Sequence, residues 1–507
     1  MTLAKVGSIA LMGLNGHLIE VEVDISDGLP GYTLLGLPDA ALSESRERVR
    51  SALINSGAPW PNKRVTVSLS PAWLPKSGSS FDLPIAIALM IAQGLAPTMD
   101  LNNTIFLGEL SLDGSIRGVR GVLPALLAAS TKGISRAIIP ANNFSESQGI
   151  EQMHSIPLST LREVMEYLTD AIIPTPPFID SQSDTAFGLD LNEVVGQPKA
   201  RFALEIAAIG AHHLLFIGPP GTGKTMLAER IPSILPPLTP EQALEVRAVH
   251  SVAGLLDNQH ASQTVPPFIA PHHTTTAVTM VGGGVHMIRP GACSLAHEGV
   301  LFIDEAPECR TGVLDALRQP LEAGHVTIAR TAGTITYPAK FLLVLAANPC
   351  PCGKYSGRGR SCTCSALAIR RYLQKLSGPL LDRIDIRTFV ETPSRTEMAG
   401  SELGESSQVV RDRVIVARGA AAARFIEDEW SINSRIPASA LRHRFRASKE
   451  GMAFLHNELE NERVSARGFH KVMRLAWSVA DSKGHLIPSK DDVEVAFALR
   501  EGAALFQ

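Results

Sequence analysis

Strand-period alternation appears early in the chain. "HLIEVEVDIS", His17 to Ser26, sets apolar residues on one side and polar residues on the other, and "RVTVSLSP", Arg64 to Pro71, repeats the pattern. Both predict strands with one buried face. "LREVMEYLTD" changes period and puts Leu161, Val164, Met165 and Leu168 on one face of a helix. Three later runs, "LLFI" from Leu214, "VLFI" from Val300 and "FLLVLAA" from Phe341, are apolar without interruption and predict strands buried on both faces. Past Pro393 the texture becomes helical, as in "VVRDRVIVARGAAAARFI" and "RGFHKVMRLAWSVADSKG". Between the first and second regions, "AIIPTPPFIDSQSDTAFGLD" holds three prolines and no periodicity. The pattern predicts an α/β chain in three parts: residues 1–170, a linker over 171–190, a second α/β unit over 191–393 and an all-helical unit over 394–507.

Composition narrows the class without choosing a function. A length of 507 residues suits two or three domains, and 45% apolar with 19% charged residues is the balance of a folded globular protein. The formal net charge is −3, so any nucleic-acid surface has to be local, for example inside a channel. The amino-terminal segment reads as a strand and turn, not a signal peptide. The most apolar run, Leu83 to Ala92, is much shorter than the ~20 residues of a membrane span. A soluble, cytoplasmic protein is expected, with no membrane partner.

Chemistry enters at "LLFIGPPGTGKTMLAERI". Gly218, Gly223, Lys224 and Thr225 stand in the phosphate-loop spacing G-x-x-x-x-G-K-T, after a strand and before a helix, which is the context the motif needs. The segment Gly218, Pro219, Pro220, Gly221, Thr222, Gly223, Lys224, Thr225 and Met226 is expected to surround the phosphates of ATP, with backbone N–H groups from its non-proline residues. Lys224 is to reach the outer phosphates and the Thr225 hydroxyl is to hold Mg²⁺. "GVLFIDEAPE" delivers Asp304 and Glu305 at a strand end, a ligand toward Mg²⁺ followed by a base for the attacking water. "FLLVLAANP" ends on Asn348, a polar amide placed to sense the γ-phosphate. Arg383 in "GPLLDRIDI" and Arg467 in "ERVSARGFH" are two more arginines than one isolated site needs. Shared sites in a ring explain both, with Arg383 offered in trans and Arg467 closing in cis.

This constellation resembles an AAA+ ATPase. "APHHTTT", "VGGG", "RPGACSLAHEGVLFIDEAPE", "LRQPLEAGHVTIAR", "AANPCPCG" and "SGPLLDRIDI" make the resemblance specific to the magnesium-chelatase-like ComM/YifB family, over nearly the whole chain. The resemblance implies a hexameric DNA translocase that promotes branch migration when single-stranded DNA is integrated during natural transformation. It also implies two hairpins projecting into a pore. One is a helix-2 insertion within "HHTTTAVTMVGGGVHMIRPG", with Gly282, Gly283 and Gly284 at its tip. The other is "HVTIARTAGTITYPAK", turning at Gly333. Arg289, Arg330 and Lys340 are then the charges able to follow a phosphate backbone. His272 and His273 read as packing residues in preference to ligands.

Two further clusters need a reading. "NPCPCGKYSGRGRSCTCS" holds Cys350, Cys352, Cys362 and Cys364 as two C-x-C pairs, with Arg358 and Arg360 between them. Tetrahedral Zn²⁺, reduced thiols and a redox disulfide all fit that spacing; Cys293 and Cys309 read as isolated residues. "LPKSGSSFDLPIAIAL" followed by "FLGELSLDGSIRGVRGVLPALLAAS" resembles the proteolytic domain of Lon, of the ribosomal S5 domain 2 type. Matching its pattern puts the nucleophile at Ser80 and the paired base at Leu123, and leucine supplies no base. Lys76 leaves an alternative Ser-Lys pair open. The expectation is an ATP-driven DNA motor with a non-proteolytic front domain. A chelatase-type motor acting on a protein partner and an ATP-dependent protease are the alternatives.

Overall fold

The computed structural model describes residues 3–76, 78–96, 101–170, 188–256, 264–284, 288–330, 333–355, 362–392 and 404–502. Alternation does what the pattern requires in the first sheet. Ile19, Val21, Val23 and Ile25 are buried along Asn15–Ser26, and Val65, Val67 and Leu69 are buried along Arg64–Ser70. These strands belong to a seven-stranded sheet ordered Gly31–Leu35, Arg64–Ser70, Asn15–Ser26, Leu3–Met12, Thr104–Phe106, Arg136–Pro140, His154–Leu158. Leu3–Met12 and Asn15–Ser26 form an antiparallel hairpin, whereas the last four strands run parallel. Val6, Phe106 and Ile138 face a core that includes helix Asp82–Ala92, every residue of which is buried. Ile9, Ile105, Ala137 and Ile139, on the other side of the pleat, pack against helix Val122–Thr131.

The unbroken apolar runs sit in a second sheet of five parallel strands. Its order is Phe268–Ile269, Val300–Ile303, Leu342–Ala347, Leu214–Ile217, Ile386–Phe389. All residues of the three central strands are buried, as a parallel sheet covered on both faces demands. Parallel direction has a functional consequence. The residues that follow Ile217, Ile303 and Ala347 all leave the sheet at one edge.

Helices Ser407–Arg424, Ala438–His443, Lys449–Glu460, Ala466–Lys483 and Lys490–Glu501 complete the architecture. Ser406, Ser448, Ser465 and Ser489 each accept a backbone N–H at a helix start, and Gly484 and Gly502 end helices in the left-handed conformation. Their apolar faces share one core with helix Pro198–Gly210. Asp385 ties this joint together. Its carboxylate accepts from Lys471 Nζ at 2.6 Å and lies 3.4 Å from His212 Nδ1.

The first sheet docks on the second unit through buried polar groups. Glu146 accepts from the Leu123 N–H at 3.0 Å and from the Ser251 hydroxyl, while Arg247 donates to the carbonyls of Ser145 and Gln148 at 3.0 and 3.1 Å. The turn after Met12 also presses on the hairpin His325–Arg330/Gly333–Pro338: a Cβ on Gly13 would lie 2.5 Å from Ile335 Cγ2. The other hairpin departs from expectation. Gly282 and Gly283 are not its tip but a strand paired with Pro290 and Arg289. The reason is space, since a Cβ on Gly282 would meet the Arg289 carbonyl at 2.6 Å. Residues 285–287, the turn 331–332, Arg358, Arg360 and linker residues 171–187 lie outside the described residues.

Burial pushes the Asp385 carboxyl up, but Lys471 and His212 beside it win and hold it well below the usual carboxylate range. Its contribution to stability is therefore present above the unfolded value near ~4 and is lost as pH falls through the lower folded value. Asp385→Asn should destabilise the joint by about 3 kcal/mol at pH 7, with the gap to wild type closing in acid. Hydrogen exchange in helix Ala466–Lys483 measures it; equal protection of both proteins at pH 7 contradicts the assignment.

Candidate nucleotide-binding site

Three strand ends converge to build the site. Gly218 leaves its strand so close to a neighbour that a Cβ would lie 2.4 Å from the Val390 carbonyl, and Gly221 and Gly223 take φ of +76° and +88°. Only glycine passes the first position without displacement, and the others need left-handed backbone. The loop delivers Lys224 as a buried cation whose ammonium donates to Gly218 O at 2.8 Å, Pro219 O at 2.9 Å and Asn348 Oδ1 at 3.2 Å. Burial lowers its pKa, against the pull of Asp304 and Glu305. Those three oxygens occupy the ammonium where phosphate oxygens would otherwise compete for it. Asn348 is thus tied directly to Lys224.

Thr225 Oγ1 donates to Asp304 Oδ2 at 2.7 Å, so the two groups expected to hold Mg²⁺ are already in contact. Hydroxyl and carboxylate oxygens are the hard donors that Mg²⁺ prefers, and both side chains reach solvent. Asp304 Oδ1 accepts the Glu305 N–H at 2.8 Å, and Glu305 takes φ of 48°, a sparsely populated conformation for a residue with a side chain. That backbone turns the exposed Glu305 carboxylate out of the strand and into a cavity of about 300 Å³ shared with Thr225, Asp304, His272 and His273.

The packing expectation for His272 and His273 is corrected here. Their rings stack 4.1 Å apart, His272 is exposed, and His273 Nδ1 lies 3.4 Å from Glu305 Oε2. The segment leaves the edge strand Phe268–Ile269 at its carboxyl end, so it passes the site and not the core. Gln197 escaped the sequence reading altogether. It takes φ of 60° before helix Pro198–Gly210, and its side-chain amide donates to Thr222 O at 3.4 Å and to Glu391 O. A glutamine directly before a helix-starting proline was the available signal.

The two distant arginines come together. Arg383 donates to Pro379 O at 2.7 Å and pairs with Glu322, while Arg467 pairs at 3.1 Å with Asp382, the residue before Arg383. The two arginines, expected to act in trans and in cis, thus share one neighbourhood across Asp382. Arg383 lines a cleft of about 910 Å³ with Lys340, Arg435, Asp385, Lys471 and Arg474, and no phosphate-loop residue lines it. Lys340 therefore stands at the base of its hairpin. Arg289 is exposed on the strand opposite Gly283, and the Arg330 backbone pairs with Gly333; the Arg330 side chain lies outside the described residues.

The four clustered cysteines also meet. Sulfur separations are 3.4 Å for Cys350–Cys352 and 3.6 Å for Cys350–Cys362 and Cys352–Cys362, with Cys364 in the same group. Cys293 and Cys309 are buried and do not belong to that group, and both thiols are pushed up by burial, to about 12 and about 11. The position expected for a base to Ser80 is Leu123, fully buried on helix Val122–Thr131, and a leucine side chain supplies none. Lys76 is buried too, and its ammonium donates to the Pro71 carbonyl.

Comparison with known proteins agrees along the chain. Family profiles of magnesium chelatase subunit ChlI match residues 190–398 and 21–143, and the profile of its C-terminal part matches residues 404–500. An uncharacterised protein of Mycobacterium tuberculosis is 46% identical over 99% of this chain and 100% of its own. Competence protein ComM of Haemophilus influenzae is 40% identical over 96% of this chain and 94% of its own. YifB of Escherichia coli is 39% identical over 99% and 97%. A Lon protease of Mycolicibacterium smegmatis matches at 25% identity over 33% of this chain and 22% of its own. Among the described residues no helix is long and apolar enough to cross a membrane.

Glu305→Gln should still bind an ATP analogue, because its carboxylate takes no part in holding Lys224 or Thr225, while turnover falls about 100-fold or more. Analogue binding and phosphate release measured side by side decide it; undiminished hydrolysis removes Glu305 as the base.

Proposed function

The chain belongs to the magnesium-chelatase-like AAA+ family of ComM and YifB, and on that premise we propose that it is an ATP-driven, hexameric DNA translocase. Its work is branch migration of single-stranded DNA into a duplex during recombination, including the uptake of DNA in natural transformation. ATP and Mg²⁺ are its cofactors. Gly218 to Met226 hold the nucleotide, Thr225 and Asp304 hold the ion, and Glu305 activates the water that attacks the γ-phosphate. Lys224 and Asn348 stabilise the charge that develops on the transferred group. Zn²⁺ in the four-cysteine loop is a structural ion in this reading.

The observation that carries the proposal is that Arg383 lines a cleft with no phosphate-loop residue of its own chain in it. Transition-state charge in an AAA+ site is met by arginine, and Arg383 and Arg467 are paired with Glu322 and Asp382 instead. In a ring Arg383 meets the neighbouring subunit's γ-phosphate and Arg467 closes over the site in cis, so each site is completed only on assembly. The two hairpins supply the rest of the motor. Arg289 is exposed on one of them and offers positive charge to a nucleic-acid backbone threaded past it. The name of the Haemophilus influenzae relative, a competence protein, points the same way. The chain acts in the cytoplasm, where recombining DNA is found.

Proteolysis is disfavoured by Leu123 in the position of a base and by Lys76 held at the Pro71 carbonyl. Action on a protein partner, as a chelatase motor, shares every nucleotide residue and differs only in what stimulates turnover. ATP hydrolysis by the purified full chain should rise several-fold with single-stranded DNA, and a synthetic branched junction should be resolved only when ATP is present. Neither response appearing would remove DNA as the substrate.

A further inference from the structure

The four-cysteine loop lies against the nucleotide site, and that placement carries a second function for it. Zn–S bonds of about 2.3 Å at tetrahedral angles put sulfur atoms about 3.8 Å apart. The separations of 3.4, 3.6 and 3.6 Å among Cys350, Cys352 and Cys362 are close to that edge length. A disulfide would need about 2.05 Å, and all four cysteines are free. The four sulfurs lie within 4.8 Å of one another, so a single ion reaches every one. Backbone N–H groups of Lys354, Cys364 and Cys352 are hydrogen-bonded to the sulfurs of Cys352, Cys362 and Cys364, the arrangement that orients thiolates around a cation.

The loop touches the site at both of its ends. Cys350 follows Asn348 by two residues and is fully buried. Gly353, at φ of +74°, comes so close to the phosphate loop that a Cβ would lie 2.6 Å from Pro220 Cδ and Cγ. On the helix after Cys364, Ala366–Leu373, the Tyr372 hydroxyl accepts a hydrogen bond from the Asn348 backbone. Both flanks of the cysteine group therefore converge on Asn348, whose amide oxygen is 3.2 Å from the Lys224 ammonium.

We infer that Cys350, Cys352, Cys362 and Cys364 bind one Zn²⁺ as a tetrathiolate, and that this ion positions Asn348 and the Pro220 side of the phosphate loop for hydrolysis. Binding releases the thiol protons to solvent and involves no change of oxidation state. The cysteines are positioning residues; none touches the nucleotide. The metal site stands apart from the nucleotide reading, whereas its influence on Asn348 rests on that reading.

Metal analysis of the full-length protein purified without chelator should give one zinc per chain. The Cys350→Ser/Cys362→Ser variant should give none. Exchange of Co²⁺ into the wild type should produce the thiolate-to-cobalt and d–d bands of a tetrahedral tetrathiolate. Zinc-free wild type that takes up neither Zn²⁺ nor Co²⁺, or peptide mapping that finds disulfides among these cysteines in fresh protein, overturns the site. For the positioning role, Gly353→Ala should keep its zinc while kcat for ATP falls about tenfold, with the affinity for an ATP analogue changed far less. Wild type stripped of zinc should show the same split and recover on readdition of Zn²⁺. Full kcat in both the Gly353→Ala and the zinc-stripped protein overturns the coupling while leaving the metal content as measured.

Discussion

A buried ammonium without its counter-charge is the constraint on which the rest of this structure depends. Lys224 sits at the carboxyl edge of a parallel sheet, satisfied by two carbonyls and one amide oxygen. None of those partners carries a formal charge, so burial weakens the cation, and a polyphosphate arriving at the loop replaces weak acceptors with strong ones. Everything nearby is arranged around that exchange. Gly218 is glycine because the Val390 carbonyl leaves no room for a Cβ, and Gln197 holds the loop through the Thr222 carbonyl. Asn348 reports on the ammonium from the neighbouring strand.

Parallel topology is what makes one edge do so much. Strands Leu214–Ile217, Val300–Ile303 and Leu342–Ala347 lie side by side in register, so the loop, the two carboxylates and Asn348 emerge together. The seven-stranded sheet and the carboxyl-terminal helices are attached to that unit by buried polar contacts instead of by greasy surface alone. Glu146 with Arg247 and Ser251 joins one, and Asp385 with His212 and Lys471 joins the other. Such contacts are directional, and they hold a docking geometry that apolar area alone would leave free to slide.

Much of this was legible in the sequence, for physical reasons. A phosphate loop needs fixed residue types at fixed spacing, and a strand buried on both faces has to read as an unbroken apolar run. What the sequence concealed depended on contacts between distant segments. Gly282 and Gly283 read as a turn because glycine is common there, yet their smallness serves close pairing with Arg289 and Pro290. His272 and His273 looked like packing, since nothing local says that their segment passes Glu305. The nearness of Arg467 to Arg383 across Asp382 joins residues 85 positions apart in the pairing Asp382–Arg467, which no motif encodes.

Those two arginines bear on the central claim, that each catalytic centre is completed by a second subunit. On that proposal one chain supplies the loop, the carboxylates and the ion ligands, and its neighbour supplies Arg383. A mixing experiment tests this most directly. Lys224→Ala retains Arg383 but cannot hold the nucleotide, whereas Arg383→Ala retains the loop but lacks the arginine for its neighbour. Each protein alone should be inactive in ATP hydrolysis, and an equal mixture assembled on DNA should recover about a quarter of the wild-type rate, the share of interfaces that join the two intact halves. A mixture as inactive as its components, or full activity of Arg383→Ala alone, would contradict the account.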